Sequence, residues 1–238
     1  MFAAGKISRD DLMEIENVAC PGPGACGGQF TANTMATIGE IIGMCPMGAA
    51  GVPAMDAQKD AVSVDVGKLI LHMIEQDLRP SKIITRASLE NAVASVAASG
   101  GSTNAVLHLL ALAREARIPL TIDDIEAISR RTPLICDLKP TGRFFATDMH
   151  KAGGIRALAQ RLVEGKYVDG SCLTATGKTL AEEAANAQET AGQQVIRTWN
   201  NAISANGGKG QSCAQWRRGQ AQGRRTPQLP RSGAYFRG

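Results

Sequence analysis

The chain has 238 residues, of which 44% are hydrophobic and only 4% are aromatic. This composition fits a globular protein of one large or two modest domains with an aliphatic core. The sequence has no apolar run of about eighteen residues, and residues 1–11 lack the apolar stretch of a signal peptide. A membrane-spanning or secreted protein therefore has no support in the sequence, and we expect a cytoplasmic one.

Charge is distributed unevenly along the chain. The formal net charge is +4, yet residues 209–238 contain seven Lys and Arg and no Asp or Glu. The residues before them carry 19 basic and 22 acidic side chains, so the body of the chain is mildly acidic. The basic tail fits either an arm that binds RNA or DNA, or a disordered or out-of-frame segment. We favour the second interpretation, expect no nucleic-acid partner, and divide the chain into residues 1–208 and 209–238.

Local signals predict a succession of helices. Ser8 followed by Asp11 is a capping-box pattern and predicts a first helix to about Asn17. Apolar spacing, a second capping box, prolines and glycines define the helices that follow. These cover residues 31–44, a stretch around 62–74 that stops before Arg79-Pro80, a helix that starts at Ser88, residues 104–116, a helix capped by Thr121 and Asp124, and residues 148–163 with a break at Gly153-Gly154.

Two segments allow a more specific prediction. Residues 104–116 are apolar nearly all round, which is typical of a helix buried in the middle of a domain. Residues 133–138 are a candidate for a short strand, and strand candidates are few. The sequence therefore predicts a helix-rich fold that buries the helix at residues 104–116.

A glycine-rich loop carries the clearest chemical signal. Four glycines surround Cys26 between residues 22 and 28, and glycines let a backbone approach a bulky inorganic group. The loop leads into the predicted helix at residues 31–44, whose dipole favours the thiolate that binds iron. These features favour Cys26 as a metal ligand over Cys20, which ends the preceding helix and is followed by Pro21.

Two other interpretations of the loop stay open on local chemistry alone. Gly22, Gly24 and Gly27 satisfy the dinucleotide fingerprint G-x-G-x-x-G. That fingerprint follows a buried strand, whereas the residues before this loop look helical. Cys26 could instead be a buried structural cysteine. A cluster needs several ligands, and the six cysteines of the chain include no C-x-x-C pair.

Two long motifs resemble the signatures of a known family. Residues 20–35 read CPGPGACGGQFTANTM, and residues 100–113 read GGSTNAVLHLLALA. With shorter stretches, they resemble the dihydroxy-acid dehydratase and phosphogluconate dehydratase family over about residues 8–208. The QFTANTM ending favours the dihydroxy-acid branch. The resemblance implies an α/β, helix-rich fold that is an internal part of the family's N-terminal domain and lacks its C-terminal β-barrel domain.

The resemblance also implies an activity. Family members dehydrate 2,3-dihydroxy acids to 2-oxo acids, and the dihydroxy-acid branch makes precursors of valine, leucine and isoleucine. The implied cofactors are an iron-sulfur cluster, with [2Fe-2S] favoured over [4Fe-4S], and Mg²⁺. Cys26 matches the third of the family's three separated cluster cysteines. A sugar-acid dehydratase of the same family is the alternative, and a dinucleotide-binding module is a less favoured one.

Other family site residues are expected outside this chain. The first two cluster cysteines, the Mg²⁺ ligands and the catalytic serine base match nothing in the sequence, so we expect the chain alone to be inactive. Ser102, Thr103 and Asn104 are candidates for lining the substrate pocket, or alternatively for capping a helix that faces the core. For the full-length form we expect a homodimer or a higher homo-oligomer.

The tail has a specific explanation within this resemblance. With allowed codons for TPQLPRSGAYFRG at residues 226–238, a one-base step can spell RPNFQGPARIFEG, which resembles the opening of the family's barrel domain. The same step on residues 209–220 gives another family-like phrase. We therefore hypothesise a frameshift near Gly208. The coding DNA decides this, because its neighbouring frame must encode those peptides.

Overall fold

The computed structural model describes residues 1–19 and 26–207. Cys20 and the basic tail, with its proposed frameshift, lie outside these residues. Within the described ranges the chain forms helices connected mostly by short loops. They are α1 (Arg9–Val18), α2 (Thr31–Ile42), α3 (Gln58–Glu75), α4 (Pro80–Ile83), α5 (Arg86–Ser99), α6 (Asn104–Glu115), α7 (Ile122–Arg131), α8 (Ala146–Lys151), α9 (Gly154–Glu164) and α10 (Leu180–Ala184).

The predicted helix ends are confirmed where the signal is local. Ser8 and Thr121 cap α1 and α7, each through the expected reciprocal capping box. The predicted break also lies where expected, because Gly153 and Gly154 have φ values of 125° and 68°. Such positive φ angles suit glycine and separate α8 from α9. Capping boxes and glycines therefore mark these boundaries in the sequence.

The buried centre of the fold is α5, which packs against α2, α6, α7 and α9. Its sequence RASLENAVASVAAS is rich in Ala and Ser, and it is buried from Ser88 to Ser99 except for Glu90. Small side chains let neighbouring helices approach closely on several sides. The helix contributes to two apolar clusters, through Ala98 to one around α9 and through most of its other apolar residues to one around α6 and α7.

The prediction that residues 104–116 are buried nearly all round is wrong. In α6 only Ala105, Leu109 and Ala113 are buried, and Leu107 is 54% exposed. The helix lies at the surface of the domain and packs through one face on α5 and α2. Apolar content alone did not show that α5, with its small side chains, would be the buried central helix instead of α6.

The predicted strand at residues 133–138 forms only isolated bridges. Leu134 pairs with Ser204 and Cys136 with Ile196. The amides of Ile135 and Cys136 both donate to the carbonyl of Ala98 at the end of α5. The segment is therefore held by a helix end and by irregular chain rather than by a neighbouring strand. The helix-rich part of the predicted α/β fold is confirmed, whereas its β part is not seen, because the described residues contain isolated bridges and no extended strand.

None of the helices in the described part of the chain is long and apolar enough to cross a membrane.

Candidate functional site

Cys26 lies shortly before the start of α2, in a turn at residues 26–29 (the cysteine turn) that is held by the first turn of that helix. Its thiol is partly exposed, and Sγ lies 3.6 Å from the carbonyl oxygen of Gly28. The side-chain amide of Asn33 donates to the carbonyls of Cys26 and Gly28 at 2.5 and 2.7 Å. No side chain caps the start of α2 at Phe30. The positive end of the helix dipole therefore lies close behind the cysteine turn.

The same turn rests on the segment that precedes α8. The amide of Gln29 donates to the carbonyl of Lys139 at 2.7 Å, and the amide of Ala146 donates to the carbonyl of Gly27 at 3.1 Å. A Cβ on Gly28 would lie 2.6 Å from the Lys139 carbonyl oxygen. The absence of a side chain at Gly28 is therefore what lets the two backbones meet.

The second motif also contacts the start of α2. The side-chain amide of Asn104 donates to the hydroxyl of Thr31 at 2.9 Å, and that hydroxyl lies 3.3 Å from the hydroxyl of Ser102. The backbone amide of Ser102 donates to the hydroxyl of Thr34 at 2.8 Å. Thr103 is exposed at the N-cap of α6. Two motifs about 70 residues apart in sequence thus share one hydrogen-bond network.

Gln29 of the first motif makes a buried contact next to the second motif. It is only 4% exposed, and its side-chain amide donates to the hydroxyls of Thr37 and Ser99 at 3.1 and 3.2 Å. Ser99 ends α5 immediately before the second motif. Sequence reasoning missed Gln29, Thr31 and Asn33 as site residues, although all three stand in the QFTANTM part of the first motif.

Comparison with known proteins identifies the family that carries both motifs. A sequence model described as the dihydroxy-acid/6-phosphogluconate dehydratase N-terminal domain matches residues 1–183, which include both motifs. The chain belongs to this dehydratase family. The resemblance expected from the two motifs is therefore confirmed.

Curated relatives from several bacteria carry the name dihydroxy-acid dehydratase. The protein of Roseiflexus sp. (strain RS-1) is 61% identical over 206 residues, which cover 87% of this chain and 37% of the relative. That of Koribacter versatilis is 58% identical over 87% of this chain and 36% of its own length. A Thermus thermophilus relative is 49% identical over 87% of this chain and 37% of its own length. The chain therefore spans little more than a third of the length of the relatives it matches.

The other described cysteines of this dehydratase chain are poor candidates for metal ligands. Burial raises the pKa of the Cys136 thiol to about 12. Burial also raises the pKa of Cys172, with a smaller contribution from Asp169, and that of Cys45, with a smaller contribution from Glu40. Because a metal ligand must be a thiolate, these environments oppose iron binding. Cys26 and Cys45 are both partly exposed, but Cys26 lies beside Gly27 and Gly28 on the turn that leads into α2.

The surroundings of Cys26 fit one corner of an iron-sulfur site. Gly27 has no side chain to block a bulky group, and the Cys26 thiol is partly exposed. Within residues 1–19 and 26–207, no three potential ligands among His, Cys, Asp and Glu come together. A cluster bound at Cys26 would therefore take further ligands from outside the described residues.

Proposed function

We propose that this chain supplies part of the active site of a dihydroxy-acid dehydratase, a hydro-lyase that converts a 2,3-dihydroxy acid to a 2-oxo acid. The observation that carries this proposal is the hydrogen bonding at the first turn of α2, where Asn33 holds the Cys26 turn and Thr31 contacts Ser102 and Asn104. The name shared by relatives up to 61% identical supports the same reaction. The reaction serves the biosynthesis of branched-chain amino acids.

Cys26 is proposed as one ligand of an iron-sulfur cluster, with [2Fe-2S] favoured over [4Fe-4S]. When bound, the cluster and a Mg²⁺ ion would supply Lewis acidity at the leaving hydroxyl and at the carboxylate of the substrate. The Cys26 thiol is partly exposed, and the side-chain amide of Asn33 fixes the carbonyls of Cys26 and Gly28. The base that removes the C2 proton is expected outside this chain.

Ser102, Thr103 and Asn104 are proposed to line the substrate pocket. Thr103 and Asn104 are exposed, and Asn104 is hydrogen-bonded to Thr31 at the start of α2, so these residues can offer hydroxyl and amide groups to a polyhydroxylated acid. Ser102 also has a structural role, because its hydroxyl accepts a hydrogen bond from the amide of Asn104 at 3.2 Å. The N-cap residue of α6 is Thr103, whose side chain makes no capping hydrogen bond.

A sugar-acid dehydratase of the same family is the second candidate, because the matching family model covers both substrate classes. The names of the relatives favour a dihydroxy-acid substrate. We further propose a cytoplasmic enzyme that works as a homo-oligomer in its full-length form and has no nucleic-acid or membrane partner.

A chimera tests the activity. Residues 2–207 replace the matching segment of the Roseiflexus sp. dihydroxy-acid dehydratase, and formation of 2-oxo acid is measured with a 2,3-dihydroxy-3-methyl acid and with an aldonate. We expect turnover of the first substrate. A folded, cluster-loaded chimera that dehydrates only the aldonate would favour the second candidate, and one that turns over neither would contradict both.

The chain by itself is proposed to be inactive. After anaerobic incubation with iron and sulfide, we expect it to form no 2-oxo acid from the dihydroxy acid, since its described residues supply one ligand rather than a complete set. Robust turnover by the chain alone would contradict this account of the missing residues.

A further inference from the structure

A buried carboxylate lies behind the segment that supports the cysteine turn. Asp137 is 5% exposed and is paired with two arginines. Its Oδ2 lies 2.7 Å from Nε of Arg143 and 2.9 Å from a terminal guanidinium nitrogen of Arg197. Its Oδ1 accepts the backbone amide of Arg143 at 2.9 Å. One side chain thus ties the two ends of a short turn to a distant part of the chain.

These contacts define the shape of the turn at residues 137–144. The amide of Phe144 donates to the carbonyl of Asp137 at 3.0 Å, and the amide of Lys139 donates to the carbonyl of Phe144 at 2.8 Å. The amide of Asp137 donates to the carbonyl of Val195 at 2.8 Å, next to Arg197. The turn is therefore closed on itself and anchored to residues 195–197.

The opposite side of this turn touches the cysteine turn. Lys139 accepts the amide of Gln29 and closely contacts Gly28, while Ala146 just beyond the turn donates to Gly27. Each of the three residues that follow Cys26 is therefore held by residues 139–146. A shift of the Asp137 turn would move the backbone to which Cys26 is attached.

Burial acts to raise the pKa of the Asp137 carboxyl, but hydrogen bonds from Arg197 and Arg143 outweigh burial and hold the pKa below its ordinary value. The carboxylate is therefore ionised at neutral pH. Removing it would leave the guanidinium groups of Arg143 and Arg197 without this partner, and the cost is greater at Arg197, which is 28% exposed, than at Arg143, which is 58% exposed.

We infer that Asp137, with Arg143 and Arg197, is a positioning residue for Cys26. The triad fixes the turn at residues 137–144, and that turn fixes residues 27–29. What Cys26 then binds rests on the proposed function, whereas the mechanical coupling does not. No part of the triad needs to touch the cluster or the substrate.

Amide hydrogen exchange in the 238-residue chain tests the coupling. In Asp137→Asn, we expect the exchange of the Gln29 amide to rise by about tenfold or more, because its acceptor at Lys139 becomes mobile. The alkylation rate of Cys26, resolved by mass spectrometry, should change with it. Asp124→Asn is the matched control, since Asp124 also pairs with an arginine, Arg86, but in another part of the fold.

Two substitutions of Arg197, one that keeps its charge and one that removes it, distinguish positioning of the turn from general destabilisation. Arg197→Lys keeps the charge and should preserve Gln29 protection within about twofold, whereas Arg197→Gln should lose it. Amides in the middle of α5 report global stability in every variant. This pair also serves if Asp137→Asn does not fold.

The inference is overturned if Gln29 exchange in Asp137→Asn matches that in Asp124→Asn, or if Arg197→Lys and Arg197→Gln behave alike. Loss of Gln29 protection only in step with the α5 amides would also overturn it. The cluster is tested separately through iron binding in the chimera. An increase in Gln29 exchange together with a Cys26 variant that still holds iron would reject the cluster role and leave the coupling intact.

Discussion

Gly28 is the residue at which the cysteine turn packs against the backbone of Lys139. Gly28→Ala would place a Cβ 2.6 Å from the carbonyl oxygen of Lys139, which is backbone and cannot swing away. We expect the free energy of unfolding to fall by about 1–3 kcal/mol, as for other overpacked sites. Urea denaturation of the chain measures this change.

Gly67→Ala provides the control for that substitution. Gly67 lies in α3, and nothing would come within 4 Å of its added Cβ. Because Ala has the higher helix propensity, this variant should be up to about 1 kcal/mol more stable than the wild type. Equal effects of the two substitutions would contradict the close backbone contact at Gly28.

At the residue scale, the sequence identified Cys26 and the Ser102 to Asn104 group but not what connects them. Glycines and a helix start are local signals, so they indicate a ligand turn directly. The roles of Gln29 and Asp137 depend on partners 70 and 60 residues away, Ser99 and Arg197. Such pairing becomes visible only when the chain is folded.

At the element scale, α2 is held at both ends. Its first turn carries the cysteine turn, and near its last turn the fully buried carboxylate of Glu40 accepts the amides of Gly48 and Gly51 at 2.8 and 2.9 Å. Burial raises the pKa of Glu40, only partly offset by backbone hydrogen bonds and by Arg156. The position of the helix thus depends on a titratable group.

This raised pKa predicts a pH dependence of stability. A carboxyl whose pKa is higher in the folded than in the unfolded state stabilises the fold fully below the unfolded pKa, and that stabilisation is lost as pH rises through the folded pKa. The free energy of unfolding should therefore decrease as pH rises above 4.5, the ordinary value for glutamate. In Glu40→Gln this part of the slope should vanish. An unchanged slope, measured by denaturation at a series of pH values, would exclude the Glu40 contribution.

The two helices α5 and α6 show why apolar content misled the prediction of burial. Ala94 in α5 is fully buried, so Ala94→Leu should cost about 1–3 kcal/mol by overpacking. Leu107 in α6 is largely exposed, so Leu107→Ser should change stability by no more than about 0.5 kcal/mol. Thermal denaturation of both variants checks the assignment. A larger loss of stability in Leu107→Ser would indicate that α6 is the buried helix.

At the scale of the whole molecule, the helix-rich architecture and most helix starts were predictable, because caps and periodicity are local. The isolated bridges of residues 133–138 were not, since their partners at Ala98, Ile196 and Ser204 lie far apart in sequence. The family was recognisable from two motifs. The structure adds that these motifs meet at the start of α2.

The most direct test of the account measures iron in the chimera with single cysteine substitutions. Cys26→Ser should lose bound iron and 2-oxo-acid formation, whereas Cys45→Ser should keep both, since Cys45 lies 19 residues further along, beyond the other end of α2. Circular dichroism confirms that both variants fold. Retention of iron and turnover in Cys26→Ser would contradict the proposal that Cys26 holds the cluster.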